Sequence, residues 1–271
     1  MASDEPVTIP MLQQMKREGK KSAGFVLWDY QTALIAERAG ADFVVIGDSV
    51  GANLLGHRDT LEVTVDEMMV FCKAVRRAIK RAILICDIPF GPLQEGRDSL
   101  MKVAVKLVKE GGADMLKLDA AAGYPEAVGD LTRAGIPVMP QFGLTPQTAL
   151  KYGIPYSSQN SASTQATADM TAKLVEEAKT LEREGAAMLD FTNSGPAAGA
   201  AVVKAVKIPV IGGFGGGPWL DGRVRLAQTA NGSSAKWLDS KADTYVNTAK
   251  LSLDAFKMLI EDVRTGKQIK G

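Results

Sequence analysis

Residues 41–51 read ADFVVIGDSVG: a short apolar run, a glycine, and then Asp48. Two further stretches repeat the design. Residues 82–91, AILICDIPFG, carry an apolar run to Asp87, and residues 113–123, ADMLKLDAAAG, carry another to Asp119. A short apolar run bounded by turn residues marks a strand buried on both faces, as in a parallel sheet. Each carboxylate then falls where its strand gives way to a loop. In a barrel of alternating strands and helices, that edge carries the active site. Three carboxylates converging there repel one another unless something neutralises them. The simplest neutraliser is a hard divalent cation with oxygen ligands, Mg²⁺ by default. Asp48, Asp87 and Asp119 are therefore candidate metal ligands.

Strand and helix signals alternate outward from these three runs. Apolar runs at 23–28, 42–47, 82–88, 114–118, 136–140, 186–191 and 208–212 read as strands, and helical periodicity fills 30–40, 64–80, 97–111, 124–134, 167–184 and 196–206. An eighth strand near 223–227 (RVRLA) has a weaker signal, because alternating arginines suit a barrel wall poorly. Thr64 and Glu67 have the spacing of a capping box. Gly40, Gly111–Gly112, Gly135 and Gly185 stand where helices should end in left-handed backbone. The phrases ERAGAD, KEGGAD and EREGAA form a weak repeat of the helix-to-strand turn. The expectation is one α/β domain over residues 1–271, a (β/α)₈ TIM barrel with parallel strands and right-handed crossovers. A final amphipathic helix over about 238–265 caps the barrel or serves a partner subunit.

Composition narrows the chemistry. The chain has 271 residues, the size of one such barrel, with 46% hydrophobic residues to fill its core. Net charge is +1 and no long charge run occurs, which argues against nucleic-acid or membrane-surface binding. The basic stretch Lys73 to Arg81 alternates with apolar residues at helical spacing, as a solvated helix face does. Cys72 and Cys86 read as small core residues. No signal peptide or spanning segment is legible, so cytoplasm is the expected location. With one histidine in the chain, a multi-histidine zinc or iron site is excluded, and any nucleophilic triad would have to use His57. Carboxylate, lysine, hydroxyl and metal chemistry is left.

Lys117 and Asp119 lie two residues apart and so share one face of a strand. If that face is the lumen, Lys117 can bind a substrate carboxylate or stabilise an oxyanion. Pro89 fixes the chain leaving Asp87. The run Gly212 to Pro218 (GGFGGGP) lacks the strand–GxGxxG–helix setting of a phosphate cradle and reads as a mobile loop at the barrel mouth. His57 touches substrate or supports its loop. Residues 143–166 form a long loop of the kind that serves as a lid or substrate loop.

Together these stretches resemble a known family. WDYQTALIAERAGADFVVIGDSVGANLLGHRDTLEVTVDEM, DIPFG, EGGADMLKLD, AGIPVMPQFGLTPQ and IEDVRTGK are similar to ketopantoate hydroxymethyltransferases. The resemblance implies a barrel of the phosphoenolpyruvate mutase/isocitrate lyase-like superfamily, Mg²⁺, and 5,10-methylenetetrahydrofolate as cosubstrate. The implied reaction is an aldol-type hydroxymethyl transfer to 3-methyl-2-oxobutanoate, giving 2-dehydropantoate through a metal-stabilised enolate. It further implies a large homo-oligomer, often a decamer. By position, Asp48 and Asp87 match metal ligands, Asp119 matches a third acidic metal-site residue that is usually Glu, and Lys117 and Ser49 match substrate-binding positions.

The chain departs from the family pattern where its base and histidine should stand. Asp190 occupies the place of a glutamate general base, one methylene shorter. Gln141 replaces a histidine before the GLTPQ motif, and Gln cannot carry charge. Three readings stand open: the family's own reaction, a paralogue applying the same enolate chemistry to another 2-oxo acid, and a non-catalytic barrel.

Overall fold

The computed structural model describes residues 5–159, 165–241 and 244–270. Its chain divides into two compact units, Met1–Val224 and Arg225–Gly271.

The barrel strands are β1 (Ser22–Val26), β2 (Phe43–Ile46), β3 (Ile83–Ile88), β4 (Met115–Leu118), β5 (Val138–Gly143), β6 (Leu189–Thr192), β7 (Val210–Gly212) and β8 (Gly222–Leu226). They pair in parallel, in sequence order, as a closed barrel. Helices α1 (Ile9–Arg17), α2 (Tyr30–Arg38), α3 (Val65–Ala78), α4 (Arg97–Lys109), α5 (Pro125–Arg133), α6 (Thr171–Arg183) and α7 (Pro196–Ala205) belong to the same unit. The (β/α)₈ expectation holds.

The lumen is built by the period-two alternation of its strands. Phe43 and Val45 of β2, Ile83 and Ile85 of β3, Met115 of β4, Met139 of β5 and Met188 before β6 join one buried apolar cluster. Two residues further along, the same face carries Gly47, Asp87, Lys117, Gln141 and Asp190. One pleat turns an oily floor into a polar chamber. Val7 and Leu12, the latter on α1, pack into that apolar cluster. The Lys16 ammonium of α1 pairs with Asp221 at 2.9 Å and donates to the carbonyls of Val203 and Ile208. Helix α1 therefore stoppers the floor of the barrel. Sequence periodicity had not marked it, although Thr8 caps its first turn by accepting from the Met11 N–H.

The capping box of α3 is present, with the Thr64 hydroxyl and the Glu67 carboxylate bonded reciprocally. β8 forms despite its arginines: Gly222 and Val224 are buried, while Arg223 reaches back to the carbonyls of Gly213 and Gly216. Gly222 is required there, since a Cβ would stand 2.2 Å from the Ser22 carbonyl oxygen of the neighbouring strand β1. The helix expected from 167 begins at Thr171, after a 3₁₀ turn, Ala168–Met170.

The second unit holds α8 (Ala227–Ala230), a 3₁₀ turn at Ala235–Leu238 and α9 (Thr248–Arg264). The helix expected over 238–265 is thus ten residues shorter at its start. Asn247 explains the boundary: its side chain accepts from the Lys250 N–H at 3.1 Å and starts a fresh helix. Among the described residues no helix is long and apolar enough to cross a membrane.

Candidate active site

Four carboxylates and one ammonium meet above the apolar floor. Asp87 and Lys117 are register partners on β3 and β4, and Gln141 and Asp190 are partners on β5 and β6. Partners in a parallel ladder point to the same side, so register alone brings these groups together. Lys117 Nζ donates to Asp87 Oδ2 at 3.1 Å and lies 3.6 Å from Asp190 Oδ2. Asp48 stands one residue beyond Gly47, and its own backbone N–H donates to Asp87 Oδ2 at 3.1 Å. A Cβ at Gly47 would fall 2.8 Å from Ser49 Oγ and 2.9 Å from Val26. The missing side chain keeps the space beside Asp87 open.

Gln147 ties this cluster to the segment after β5. Its Nε2 donates to Asp48 Oδ2 at 2.8 Å and to the Ile88 carbonyl at 3.3 Å, and its backbone N–H donates to Asp119 Oδ2 at 3.1 Å. The other oxygen of Asp119 accepts from the Ala120 N–H. Ala120 itself takes left-handed backbone, φ 59°. The sequence reads residues 143–166, which include the GLTPQ stretch, as a long loop. That its glutamine reaches two carboxylates depends on the loop's path, which no spacing rule supplies.

Electrostatics record the crowding. Burial, then the neighbouring Asp87 carboxylate, pushes the Asp48 pKa well above the ordinary value. Burial raises Asp119 to about 6, against hydrogen bonds from Thr145 and Gln147. Asp190 is also raised, by burial first and Asp87 second, with Lys117 opposing. For Lys117, burial alone would lower the pKa. The carboxylates of Asp87, Asp190, Asp48 and Asp119 outweigh it, and the amine is held above its usual range. It is a permanent cation.

The donor set suits a hard cation: all oxygen, three buried aspartates around Lys117 and a fourth beside them, and two buried oxygens, Asp87 Oδ1 and Asp190 Oδ1, without a hydrogen-bond partner among the described residues. Among the described residues, no three His, Cys, Asp or Glu side chains form a ready-made metal cage. Asp48 and Asp87 are neighbours, the Asp48 backbone N–H bonded to Asp87 Oδ2, while both oxygens of Asp119 are engaged by loop N–H groups. Two carboxylates with water or substrate completing the shell is the usual way Mg²⁺ is bound.

The other expected residues are distributed as follows. Ser49 is buried beside Asp48, and Gln141 is buried with its amide donating to Thr192 Oγ1 at 2.8 Å. His57 lies apart from them. Its N–H donates to the Gly51 carbonyl, its ring packs at Gly51, and among the described residues it makes no hydrogen bond to the carboxylates. The loop over 212–218 is tied down rather than loose: Phe214 O accepts from the Asn193 N–H at 2.8 Å, and Arg223 holds two of its carbonyls. Of the loop over 143–166, residues 160–164 lie outside the described residues; the rest contains two short 3₁₀ turns, Ala149–Tyr152 and Tyr156–Ser158. Tyr156, which no sequence signal singled out, brings its hydroxyl to the Asn53 amide.

Comparison with known proteins decides the family. The family model of ketopantoate hydroxymethyltransferase matches residues 6–268. The chain belongs to the ketopantoate hydroxymethyltransferase family. A 3-methyl-2-oxobutanoate hydroxymethyltransferase from a Cyanothece species is 36% identical over 262 residues, covering 96% of this chain and 97% of that protein. One from Moorella thermoacetica is 33% identical over 267 residues, covering 98% and 97%. Among solved structures, the fold is similar to 2,3-dimethylmalate lyase, a member of the phosphoenolpyruvate mutase/isocitrate lyase superfamily (TM-score 0.57, 11% identity, covering 94% and 87%). It is likewise similar to phosphoenolpyruvate phosphomutase from Streptomyces platensis subsp. rosaceus (TM-score 0.59, 12% identity, covering 96% and 88%).

Proposed function

We propose that this chain transfers a hydroxymethyl group from 5,10-methylenetetrahydrofolate to 3-methyl-2-oxobutanoate, giving 2-dehydropantoate, with Mg²⁺ bound. Family membership supports the transferase reading. The observation that carries the mechanism is the buried surplus of carboxylates over ammonium in one chamber, with unpartnered oxygens on Asp87 and Asp190.

Asp48 and Asp87 would hold the cation, with Asp119 at its rim. Bound there, a divalent cation supplies a Lewis acid that makes the C–H next to the oxo group more acidic. Asp190 is the base: its Oδ1 is buried and unpartnered, and its raised pKa suits a group that must accept a proton and return it. Lys117 bridges Asp87 and Asp190, so it stands where negative charge develops as the proton leaves and can meet it with a fixed N–H⁺. Water releases the cosubstrate's methylene carbon as formaldehyde, with both of its C–N bonds broken and tetrahydrofolate leaving; the carbon that lost its proton attacks that carbonyl, and the new alkoxide takes back the proton held by Asp190. Ser49 and Gln141 offer neutral hydrogen bonds to the oxo acid. Assembly into a homo-oligomer belongs to the same proposal. Leu251, Phe256, Met258 and Val263 of α9 are all exposed, and light scattering reads the state.

The shorter reach of Asp190 favours a second reading, in which the oxo acid differs from that of the named relatives. One experiment separates the two. Exchange of the C3 proton of 3-methyl-2-oxobutanoate in D₂O, followed by NMR with Mg²⁺ and without folate, is the expected result. Exchange only with pyruvate or 2-oxobutanoate moves the substrate; no exchange with any of them overturns the proposed chemistry.

A further inference from the structure

The chamber has a charge problem on its substrate side. A 2-oxo acid brings its own carboxylate into a space already lined by Asp48, Asp87, Asp119 and Asp190, and Lys117 is committed to Asp87 and Asp190. The carboxylate of such a substrate therefore needs donors that carry no negative charge. Two hydroxyls meet that need. Ser49 follows Asp48 in the chain and is buried, and Tyr156 enters from the segment after β5 with its phenol linked to Ser49 through the Asn53 amide, which donates to both the Tyr156 oxygen and the Ser49 carbonyl.

The phenol is held by more than one group. Asn53 Nδ2 lies 3.4 Å from the Tyr156 oxygen and 2.9 Å from the Ser49 carbonyl, to which it donates. The Tyr156 ring meets the edge of Phe214 at a centroid distance of 5.8 Å and an interplanar angle of 83°. Asn53 occupies the acceptor side of the phenol oxygen, which leaves the O–H as the group to offer. A phenol titrates near pH 10, so it keeps that proton at neutral pH.

Resting on the 2-oxo acid reading above, we propose that Tyr156 is a substrate-binding residue whose phenolic O–H, paired with the Ser49 hydroxyl, receives the substrate carboxylate. Asn53 acts behind it as a positioning residue. The arrangement selects for an acid over a neutral ketone without adding a cation to the chamber.

Tyr156→Phe removes one oxygen and keeps the ring packed on Phe214. In the full chain with Mg²⁺, 3-methyl-2-oxobutanoate should bind about 10-fold more weakly, as expected for one hydrogen bond to a charged group. Its saturating C3 exchange rate should stay within about threefold. Asn53→Ala should weaken binding in the same sense by a smaller factor, about threefold, because it loosens the phenol without removing it. Unchanged affinity in Tyr156→Phe overturns the proposal, and so does a loss confined to the saturating rate. Calorimetric titration of the same proteins with oxalate keeps the test independent of the reaction. Should the wild type exchange no 2-oxo acid, a weaker oxalate affinity in Tyr156→Phe still supports the carboxylate site, and an unchanged one overturns it.

Discussion

Gln147 donates its side-chain amide to Asp48 at 2.8 Å while its backbone N–H holds Asp119, so one residue of the segment after β5 orients two of the chamber's carboxylates. Its side chain fixes a carboxylate that is to hold a cation, and supports of this kind matter to affinity. Gln147→Leu should weaken Mg²⁺ binding by roughly 10-fold or more. Calorimetric titration with Mg²⁺ alone checks it; an unchanged affinity would show that Asp48 needs no such support.

Asp87 carries the heaviest load, since it accepts from Lys117 and from the Asp48 N–H. Asp87→Ala should abolish Mg²⁺-dependent proton exchange and the rise in melting temperature that Mg²⁺ produces. Undiminished exchange in this variant, with or without metal, would sink the assignment of the cation to this aspartate.

Asp190 and Asp87 are separable by what they do. Asp190→Asn keeps shape and removes the base, so C3 exchange should fall by at least about 100-fold, within the range that general-base catalysis contributes. Mg²⁺ affinity in the same variant should change by less than about threefold. If metal binding fails along with exchange, Asp190 is a ligand and the proton goes elsewhere.

Stability should depend on pH in a direction opposite to that of a salt-bridged carboxylate. The Asp119 pKa is raised from an ordinary 3.8 to about 6, so the native state holds this proton more tightly than the unfolded chain. Its contribution is fully present below the unfolded value and is lost as pH rises through about 6. Asp48 and Asp190 are shifted in the same direction. Cation-free protein should therefore melt higher near about pH 5 than near about pH 8, and Asp119→Asn should flatten part of that slope. A melting temperature that climbs steadily over this window in EDTA would contradict the electrostatics.

Lys117→Met takes away the ammonium between Asp87 and Asp190. Breaking a buried ion pair on one side costs about 3–5 kcal/mol. The loss should be greatest at alkaline pH, where more of the carboxylates are charged, and it is read by denaturant titration at two pH values. An equal loss at both would mean the carboxylates take up protons and stay neutral instead.

The barrel and its acidic rim were legible because both follow from local pattern. Unbroken apolar runs identify doubly buried strands, and period two carries Met115 to Lys117 and Met188 to Asp190 on a single face. The partnerships across strands were not legible. Whether Asp87 meets Lys117 depends on register, and register depends on how eight strands close. Gln147 and Tyr156 escaped notice for a different reason: both ride on irregular backbone, where nothing periodic says which way a side chain turns. The stopper helix α1 was missed because it is only nine residues long and fully buries only Leu12, too little for a periodic signal. Arg223 misled in the other direction, since its charge argued against a strand when its target was a pair of loop carbonyls.

The plug formed by Val7, Leu12 and Lys16 has a consequence for traffic. A tube sealed at one end has a single doorway, so reactants must queue. Whatever seats itself deepest, against the oily floor, has to arrive before its partner and can leave only after the partner has cleared the door. A two-substrate reaction carried out in such a blind alley should show an order of entry and exit, which product-inhibition kinetics read.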